Sequence, residues 1–451
     1  MPINNTNRTI FITSFHPHIS RNILFTPVLD LLKQKKDLKI VIVVPDYKVD
    51  YFKKNFCADN VFIEGIKLFQ ASYTKRGLLF KRLGVMIFNT KSTRAFKKYE
   101  YYCAGKYFYY ILSCITGFMG RFELIRQFVR WLDLSFSPRD FFKHILDKYQ
   151  PDAVFSADIQ NENDVSLMQD ARRRKIPIIG MLRSWDNVTM RINRIFPDRM
   201  IVGSRYLEKE MEEMYSYPSK KLVVTGHPHH DNYVKGPFST KEEFCKKFGL
   251  NPNRKFVLYA PFSDTLVRHN DVDRYVMEAL GNIDAEILVR FPPEKPVSLG
   301  DFKPPSNMKY HRPGISFGDK IGDREISRDD DNLLINSLYH ADVVVSGPTS
   351  IPFDAMLMNR PAIMLEIYTR PHNFCDSILN FSRLHIIKIL RMGGIRHVRT
   401  REEMLDAIDE YLKNPVKDAG ERARTKSLYF SHADGHASDR LAEEIIGFVN
   451  K

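Results

Sequence analysis

The sequence predicts an α/β protein of doubly wound lobes, the first carrying a basic, aromatic helical insertion. Three observations predict it. Short apolar runs rich in β-branched residues recur along the chain, each reading as a buried parallel strand. The segments after them carry helical periodicity and helix-start residues. With 451 residues and 43% hydrophobic content, the chain is long enough for two or three domains with their own cores.

The chain opens with a strand at Thr9–Phe15, a helix at Ile23–Lys33 with Pro27 in its first turn, and a strand at Lys39–Val44. This β-α-β start suits a doubly wound domain. The loop after the first strand contains His16-Pro17-His18. Ligands of open parallel sheets bind beyond the carboxyl ends of strands, so this loop is expected to face a binding crevice. A histidine there suits a general base, because its pKa lies near neutrality; a loop histidine capping backbone groups is the plainer alternative. His16 and His18 offer two ligand nitrogens and the spacing supplies no third, so no metal site is expected.

Residues 68–150 change character. Lys75, Arg76, Lys81, Arg82, Lys91, Arg94, Lys97, Lys98 and Lys106 alternate with aromatic residues, and only Glu100 opposes them between 74 and 106. The apolar run Tyr107–Met119 follows, then Arg121, Arg126, Arg130 and Trp131. That run is too short to span a bilayer but long enough for a buried or an interfacial helix. An anionic membrane surface suits the composition, as does an ordinary insertion with a solvated basic face. Nucleic acid is not expected as a partner, because no recognised nucleic-acid motif accompanies the basic residues.

The formal net charge of +14 favours acidic partners such as phosphates or anionic lipid. Five cysteines without a C-x-x-C pair indicate neither a zinc site nor a disulfide framework, and a reducing, cytoplasmic location is the default. The polar N-terminus lacks a signal-peptide core, and no 18-residue apolar run predicts a spanning helix.

The α/β pattern resumes at Pro151–Asp158, with Asp158 just past a strand. A helix at Glu162–Lys175 and a strand at Ile178–Leu182 follow. The next loop, Arg183-Ser184-Trp185-Asp186-Asn187, also lies at a strand's carboxyl end. Trp185 can stack on a sugar face or a base, and Asp186 and Asn187 can bond hydroxyls; a packed Trp beside a turn is the alternative. The histidine cluster His227, His229 and His230 precedes a helix at Ser239–Phe248, whose capping box pairs Ser239 with Glu242 or Thr240 with Glu243. Strands are expected at Phe256–Ala260 and Ile287–Phe291, the latter carrying Arg290, a phosphate-ligand candidate. Asp329-Asp330-Asp331 reads as the acidic start of a helix over Leu333–Tyr339.

The chain is best organised around residues 340–372. A buried strand at Ala341–Val345 stops at Ser346-Gly347-Pro348, with Thr349 and Ser350 as helix N-caps. A helix at Ile351–Met358 and a second strand at Ala362–Ile367 follow. First-turn amides and the helix dipole favour an anion at Thr349-Ser350, with Asp354 one turn on for ribose hydroxyls. A capped helix in any α/β protein has the same spacing.

This stretch resembles the donor-nucleotide segment of GT-B glycosyltransferases, including surface-polysaccharide and CDP-glycerol glycerophosphotransferase-like members. Tyr259-Ala260-Pro261 and Asp434-Gly435-His436-Ala437-Ser438-Asp439-Arg440 resemble segments of the CDP-glycerol transferases. Ser184-Trp185-Asp186-Asn187 and the Gly226-His227-Pro228 hinge resemble GT-B segments. Asn359-Arg360-Pro361 and Thr369-Arg370-Pro371 also resemble UDP-N-acetylglucosamine 2-epimerases, which have paired acidic residues where this chain has Phe353-Asp354. Relatives often have His-Pro where this chain has Pro292-Pro293.

The resemblance implies two Rossmann-like domains facing a cleft, the GT-B arrangement. Residues 1–232 would form the acceptor domain and 233–451 the nucleotide-donor domain, with the last helix returning to the first. It implies a glycosyltransferase moving a sugar from a nucleotide-diphosphate donor to a cell-surface glycan or lipid-linked acceptor, without metal or other cofactor. Arg290, Ser346, Gly347, Thr349, Ser350 and Asp354 would bind the donor, and Trp185, Asp186 and Asn187 the acceptor. His18, His16, Asp158 or Asp186 would be the base. CDP-glycerol or ribitol phosphotransfer, a UDP-sugar 2-epimerase, and a non-catalytic basic scaffold on membrane or nucleic acid are the alternatives. A peripheral position on the inner face of the cell membrane goes with the acceptor.

Overall fold

The computed structural model describes residues 8–68, 74–184, 187–267, 271–293, 295–318 and 323–450. They form two compact units. One takes in residues up to Lys97, Lys106–Asp231 and Ser431 onward, and the other takes in Lys98–Gly105 and Asn232–Phe430.

The first unit holds a seven-stranded parallel sheet of β1 (Arg8–Thr13), β2 (Leu38–Pro45), β3 (Val61–Ile66), β4 (Ala153–Ser156), β5 (Ile178–Met181), β6 (Arg199–Val202) and β7 (Leu222–Val224). The order is β3-β2-β1-β4-β5-β6-β7, so the winding reverses between β1 and β4. These strands read as continuous apolar runs because helices cover both faces. The helices are α1 (Pro27–Lys33), α2 (Val49–Phe56), α3 (Lys75–Met86), α4 (Lys91–Tyr102), α5 (Tyr107–Met119), α6 (Glu123–Phe136), α7 (Lys143–Tyr149), α8 (Glu162–Arg173) and α9 (Arg205–Tyr215), with α4 belonging to this unit only as far as Lys97. Helices α3 to α7 lie between β3 and β4, so the basic aromatic stretch is a helical insertion.

The helix expected over Ile23–Lys33 is divided. A π-type turn at Ser20–Leu24 ends at Phe25, and α1 starts afresh at Pro27, with the Thr26 side chain accepting the Val28 N–H. Pro27 has no N–H to continue the earlier turn and suits a first helical position.

The second unit repeats the plan with β8 (Phe256–Ala260), β9 (Glu286–Arg290), β10 (Met308–His311), a small antiparallel pair β11 (Ile315–Ser316) and β12 (Arg324–Glu325), and then β13 (Val343–Ser346), β14 (Ala362–Leu365) and β15 (Arg396–Val398). Its six-stranded parallel sheet runs β10-β9-β8-β13-β14-β15, reversing between β8 and β13. Helices α10 (His230–Lys235), α11 (Lys241–Phe248), α12 (Val272–Leu280), α13 (Arg328–His340), α14 (Ile351–Leu357), α15 (Leu384–Leu390), α16 (Arg401–Lys413) and α17 (Ala419–Tyr429) accompany it, α10 starting at the boundary. The capping box of α11 is the Thr240–Glu243 pair. Helix α13 is longer than expected, because Ser327 and Asp330 form a capping box that starts it five residues before Leu333. The final helix, α18 (Ala437–Val449), buries Leu441, Ala442, Ile445 and Val449 in the core of the first unit. Each unit is thus a Rossmann-like domain.

One expectation is corrected. Cys103 and Cys375 form a disulfide across 272 positions, while Cys57, Cys114 and Cys245 are free. Sequence spacing does not show this pairing, because the fold alone brings the two segments together. No helix among the described residues is long and apolar enough to cross a membrane.

Candidate functional site

In a doubly wound sheet the crevice opens beyond the carboxyl ends of the two strands where the order reverses, because the loops there turn to opposite faces. In the first unit those strands are β1 and β4. His16 and His18 follow β1, and Asp158 follows β4.

Thr13, the last residue of β1, joins the two strand ends. Its hydroxyl accepts the Ala157 N–H at 2.9 Å and is hydrogen-bonded to buried Asp164 Oδ1, which also accepts from Ser156 Oγ at 2.9 Å. Burial, reinforced by the charge of Asp158, pushes the Asp164 carboxyl up to about 8, although the Thr13 and Ser156 hydroxyls pull it down. Asp158 is itself buried and receives Arg183 Nη1 at 2.7 Å. The Arg183 carbonyl accepts from Asn22 Nδ2 at 3.2 Å, so the loops after β1, β4 and β5 are tied together.

His16 and His18 stack with ring centroids 5.0 Å apart. His16 Nδ1 accepts the His18 N–H at 3.2 Å, which leaves the proton of the neutral ring on Nε2. Burial, followed by the charges of Arg183, Lys48 and Arg21, holds His16 well below the usual histidine range. In this tautomer His16 presents a donor at Nε2, whereas a base needs a nitrogen lone pair. Asp158 is engaged by Arg183. Trp185 and Asp186 lie outside the described residues, as does the side chain of Asn187.

In the second unit the reversal lies between β8 and β13, and the Ser346–Ser350 loop leaves the end of β13 there. Ser346 stands level with Ala260 of β8 and Met364 of β14. Ser346 Oγ lies 2.8 Å from Thr349 Oγ1 and donates to the Gly347 carbonyl at 2.9 Å. A Cβ on residue 347 would lie 2.7 Å from the Phe262 ring, so only glycine lets the loop pass that close to the segment after β8. That segment is held by buried Asp273, which accepts from Tyr259 Oη at 2.5 Å and the Phe262 N–H at 2.8 Å. Ser350 occupies the N-cap position of α14 but makes no side-chain cap bond. Thr349 Oγ1 accepts weakly from the Ile351 N–H, at 3.4 Å. The expected hydroxyl capping is therefore largely replaced by a Ser346–Thr349 bond. Asp354 is buried in the first turn of α14.

Arg290 ends β9, away from that loop in strand order. It is buried, with Nη1 2.8 Å from His311 Nδ1 and Nη2 donating to the Asp330 carbonyl at 2.9 Å. Burial, then the Arg290 charge, lowers His311 to about 4.

Beyond the neighbouring strand β14 lies a pocket of about 610 Å³, lined by Glu366, Tyr368, Thr369, Arg370, Pro371, His372 and Arg399. No ligand is expected at Thr369-Arg370-Pro371 from the sequence, although a run of polar and cationic residues directly after a buried strand marks the segment. Arg183 was missed because its partner Asp158 is 25 positions away.

Residues 183–447 match the family described as CDP-Glycerol:Poly(glycerophosphate) glycerophosphotransferase. The chain belongs to that family. Solved structures share its two-domain GT-B architecture at low identity. The UDP-GlcNAc 2-epimerase from Neisseria meningitidis bound to UDP-GlcNAc is 12% identical, with a TM-score of 0.55 over 97% of this chain and 100% of that one. The wall teichoic acid polymerase TagF is 11% identical, with a TM-score of 0.51 over 100% of this chain and 90% of that one. The calicheamicin glycosyltransferase CalG4 is 10% identical, with a TM-score of 0.51 over 99% of each chain. At such identities the glycerophosphotransferase-family chain shares a fold with these proteins and nothing more specific. A search among curated proteins finds no sequence match.

Proposed function

We infer that this protein moves a sugar from a nucleotide-diphosphate donor to a cell-surface glycan or lipid-linked acceptor. The observation that carries the reading is the Ser346–Ser350 loop, at the reversal point of a doubly wound sheet in a glycerophosphotransferase-family chain. The donor diphosphate lies at the start of α14, beside the Thr349 and Ser350 hydroxyls, with Ser346 and Gly347 shaping the loop. Asp354 accepts from the ribose, and Arg290 adds positive charge. Trp185, Asp186 and Asn187 hold the acceptor.

An acceptor hydroxyl oxygen attacks the anomeric carbon, and His18 takes its proton. The bond from that carbon to the diphosphate breaks, and the diphosphate leaves with the electron pair. Fixed positive charge on the leaving group lowers the barrier without a metal. His18 comes first because it lies in the loop beyond the end of β1, where the first sheet reverses.

Family membership favours a second reading, transfer of glycerol phosphate or ribitol phosphate from a CDP donor. Pro292, standing where related transferases often carry histidine, speaks for the sugar. Thermal shifts with a panel of UDP-, GDP- and CDP-linked compounds separate the two. A shift with UDP- or GDP-sugars supports the first reading, and a shift with CDP-glycerol alone supports the second. No shift with any nucleotide, or an Asp354→Ala variant that binds as well as the parent, removes the donor site.

A further inference from the structure

Helices α5 and α6 are inside out. In a surface helix the apolar stripe faces the core and the polar face meets water. Here α5 turns Ser113 and Gly117 inward and large apolar side chains outward, with Phe108 79% exposed and Ile111 and Phe118 also exposed. Gly117 is a contact position, because a Cβ there would lie 2.7 Å from Lys97 Nζ. Helix α6 turns its ions inward. Arg126 Nη1 donates to the Met214 carbonyl at 3.0 Å, Arg130 Nε to the Asn193 carbonyl at 3.0 Å, and Asp133 meets Arg194 at 2.7 Å. Its outward side carries Leu124, 78% exposed, Phe128 and Trp131. The two apolar faces are continuous through the ring contact of Phe118 with Phe122.

We propose that this face inserts into the interfacial layer of an anionic lipid leaflet. Three observations favour lipid as the occupant. The inverted polarity is what a medium less polar than the protein's own contacts selects. Between Lys106 and Arg139 the only carboxylates are Glu123 and Asp133. Glu123 is bonded to Arg126 at 2.6 Å and Arg130 at 2.8 Å, and Asp133 is buried, so the exposed charge is cationic. Exposed Lys106 and Arg121 bracket α5, with the Arg121 guanidinium 5.3 Å from the Phe118 ring, and exposed Lys75 and Arg76 start the neighbouring α3. A two-fold contact between copies would set this cationic rim against itself.

The attachment therefore has an apolar core that salt does not screen, with an electrostatic rim that it does. It is independent of the transferase reading. A chain that binds vesicles and no nucleotide keeps this inference and loses the other.

The test uses the full chain with phosphatidylcholine vesicles, with and without phosphatidylglycerol, at low and high salt. Sedimentation with the anionic vesicles is expected to persist at high salt. In a Trp185→Phe background, where Trp131 is the only tryptophan, spin-labelled lipid is expected to quench its fluorescence. The triple variant Phe108→Ser, Ile111→Ser, Phe118→Ser is expected to partition about tenfold less or weaker still, with unchanged melting. Binding that high salt abolishes and the triple variant retains would overturn the inference. Unquenched Trp131, a triple variant that melts lower, or a vesicle-indifferent dimer split by these substitutions would also overturn it.

Discussion

Arg183 Nη1 lies 2.7 Å from Asp158 Oδ2, and this pair joins the loop after β5 to the loop after β4 at the point where the first sheet reverses. Asp158 is buried, whereas Arg183 is partly exposed, so the arginine is the only side chain of the pair that reaches solvent to any extent. Its carbonyl also holds Asn22, which belongs to the turn following His18.

Arg183→Ala is therefore expected to act as a positioning defect. The buried Asp158 carboxylate loses its partner, at a cost of ~1–3 kcal/mol. Turnover is expected to fall more than donor affinity, because the loosened loops are the ones proposed to hold the acceptor. Urea melts and separate KM and kcat values check this, and Arg183→Lys should recover part of the stability. Equal losses in donor affinity and turnover would count against a positioning role.

His18→Ala is expected to slow transfer roughly 10²- to 10⁴-fold with donor binding unchanged, the range for a lost general base. Single-turnover rates beside nucleotide titrations make the comparison. A parental rate would clear His18 and return attention to Asp186.

Asp164 makes the protein's stability depend on pH. Its folded carboxyl titrates near 8, far above the ordinary aspartate range, with burial the main cause. Between those values the folded chain holds a proton that the unfolded chain has lost. The contribution is whole at low pH and drains away as pH rises to about 8. His16 and His227 slope the other way below about 6.5, since burial keeps both from protonating in the fold. Buried Lys97, lowered to about 8, begins to slope the other way as pH nears that value, so from about 6.5 up to that point the slope is set by Asp164. Stability is expected to decline there, and Asp164→Asn should flatten the decline. Denaturant midpoints across that interval measure both slopes; matching slopes in the two proteins would remove Asp164 as the cause.

The Cys103–Cys375 bond predicts one crosslinked peptide pair in a non-reducing digest. Cys103→Ser is expected to lower stability by ~2–4 kcal/mol in the oxidised protein and by little in the reduced one. A digest with both thiols free would refute the pairing.

The alternation of strands and helices was readable because each strand and helix is specified within ten or so neighbours. The run from Val343 to Leu365 announces a buried strand, a turn, a proline-started helix and another buried strand without help from the rest of the chain. The Ser346–Thr349 bond was harder to see, because it depends on how the turn bends, and capping rules place both hydroxyls on the helix instead. Arg183 with Asp158, Thr13 with Asp164, and Cys103 with Cys375 leave no local trace at all.

The apolar run Tyr107–Met119 divides the two kinds of information most clearly. Residue order alone determines that it is a helix too short to cross a bilayer, because periodicity and length are properties of the segment. Which side of that helix meets the protein is decided only by the tertiary structure. Gly117 must lie against Lys97, and the ions of α6 must find Arg194, Asn193 and Met214 from distant segments. Once those contacts are made, the large side chains have nowhere to point but outward.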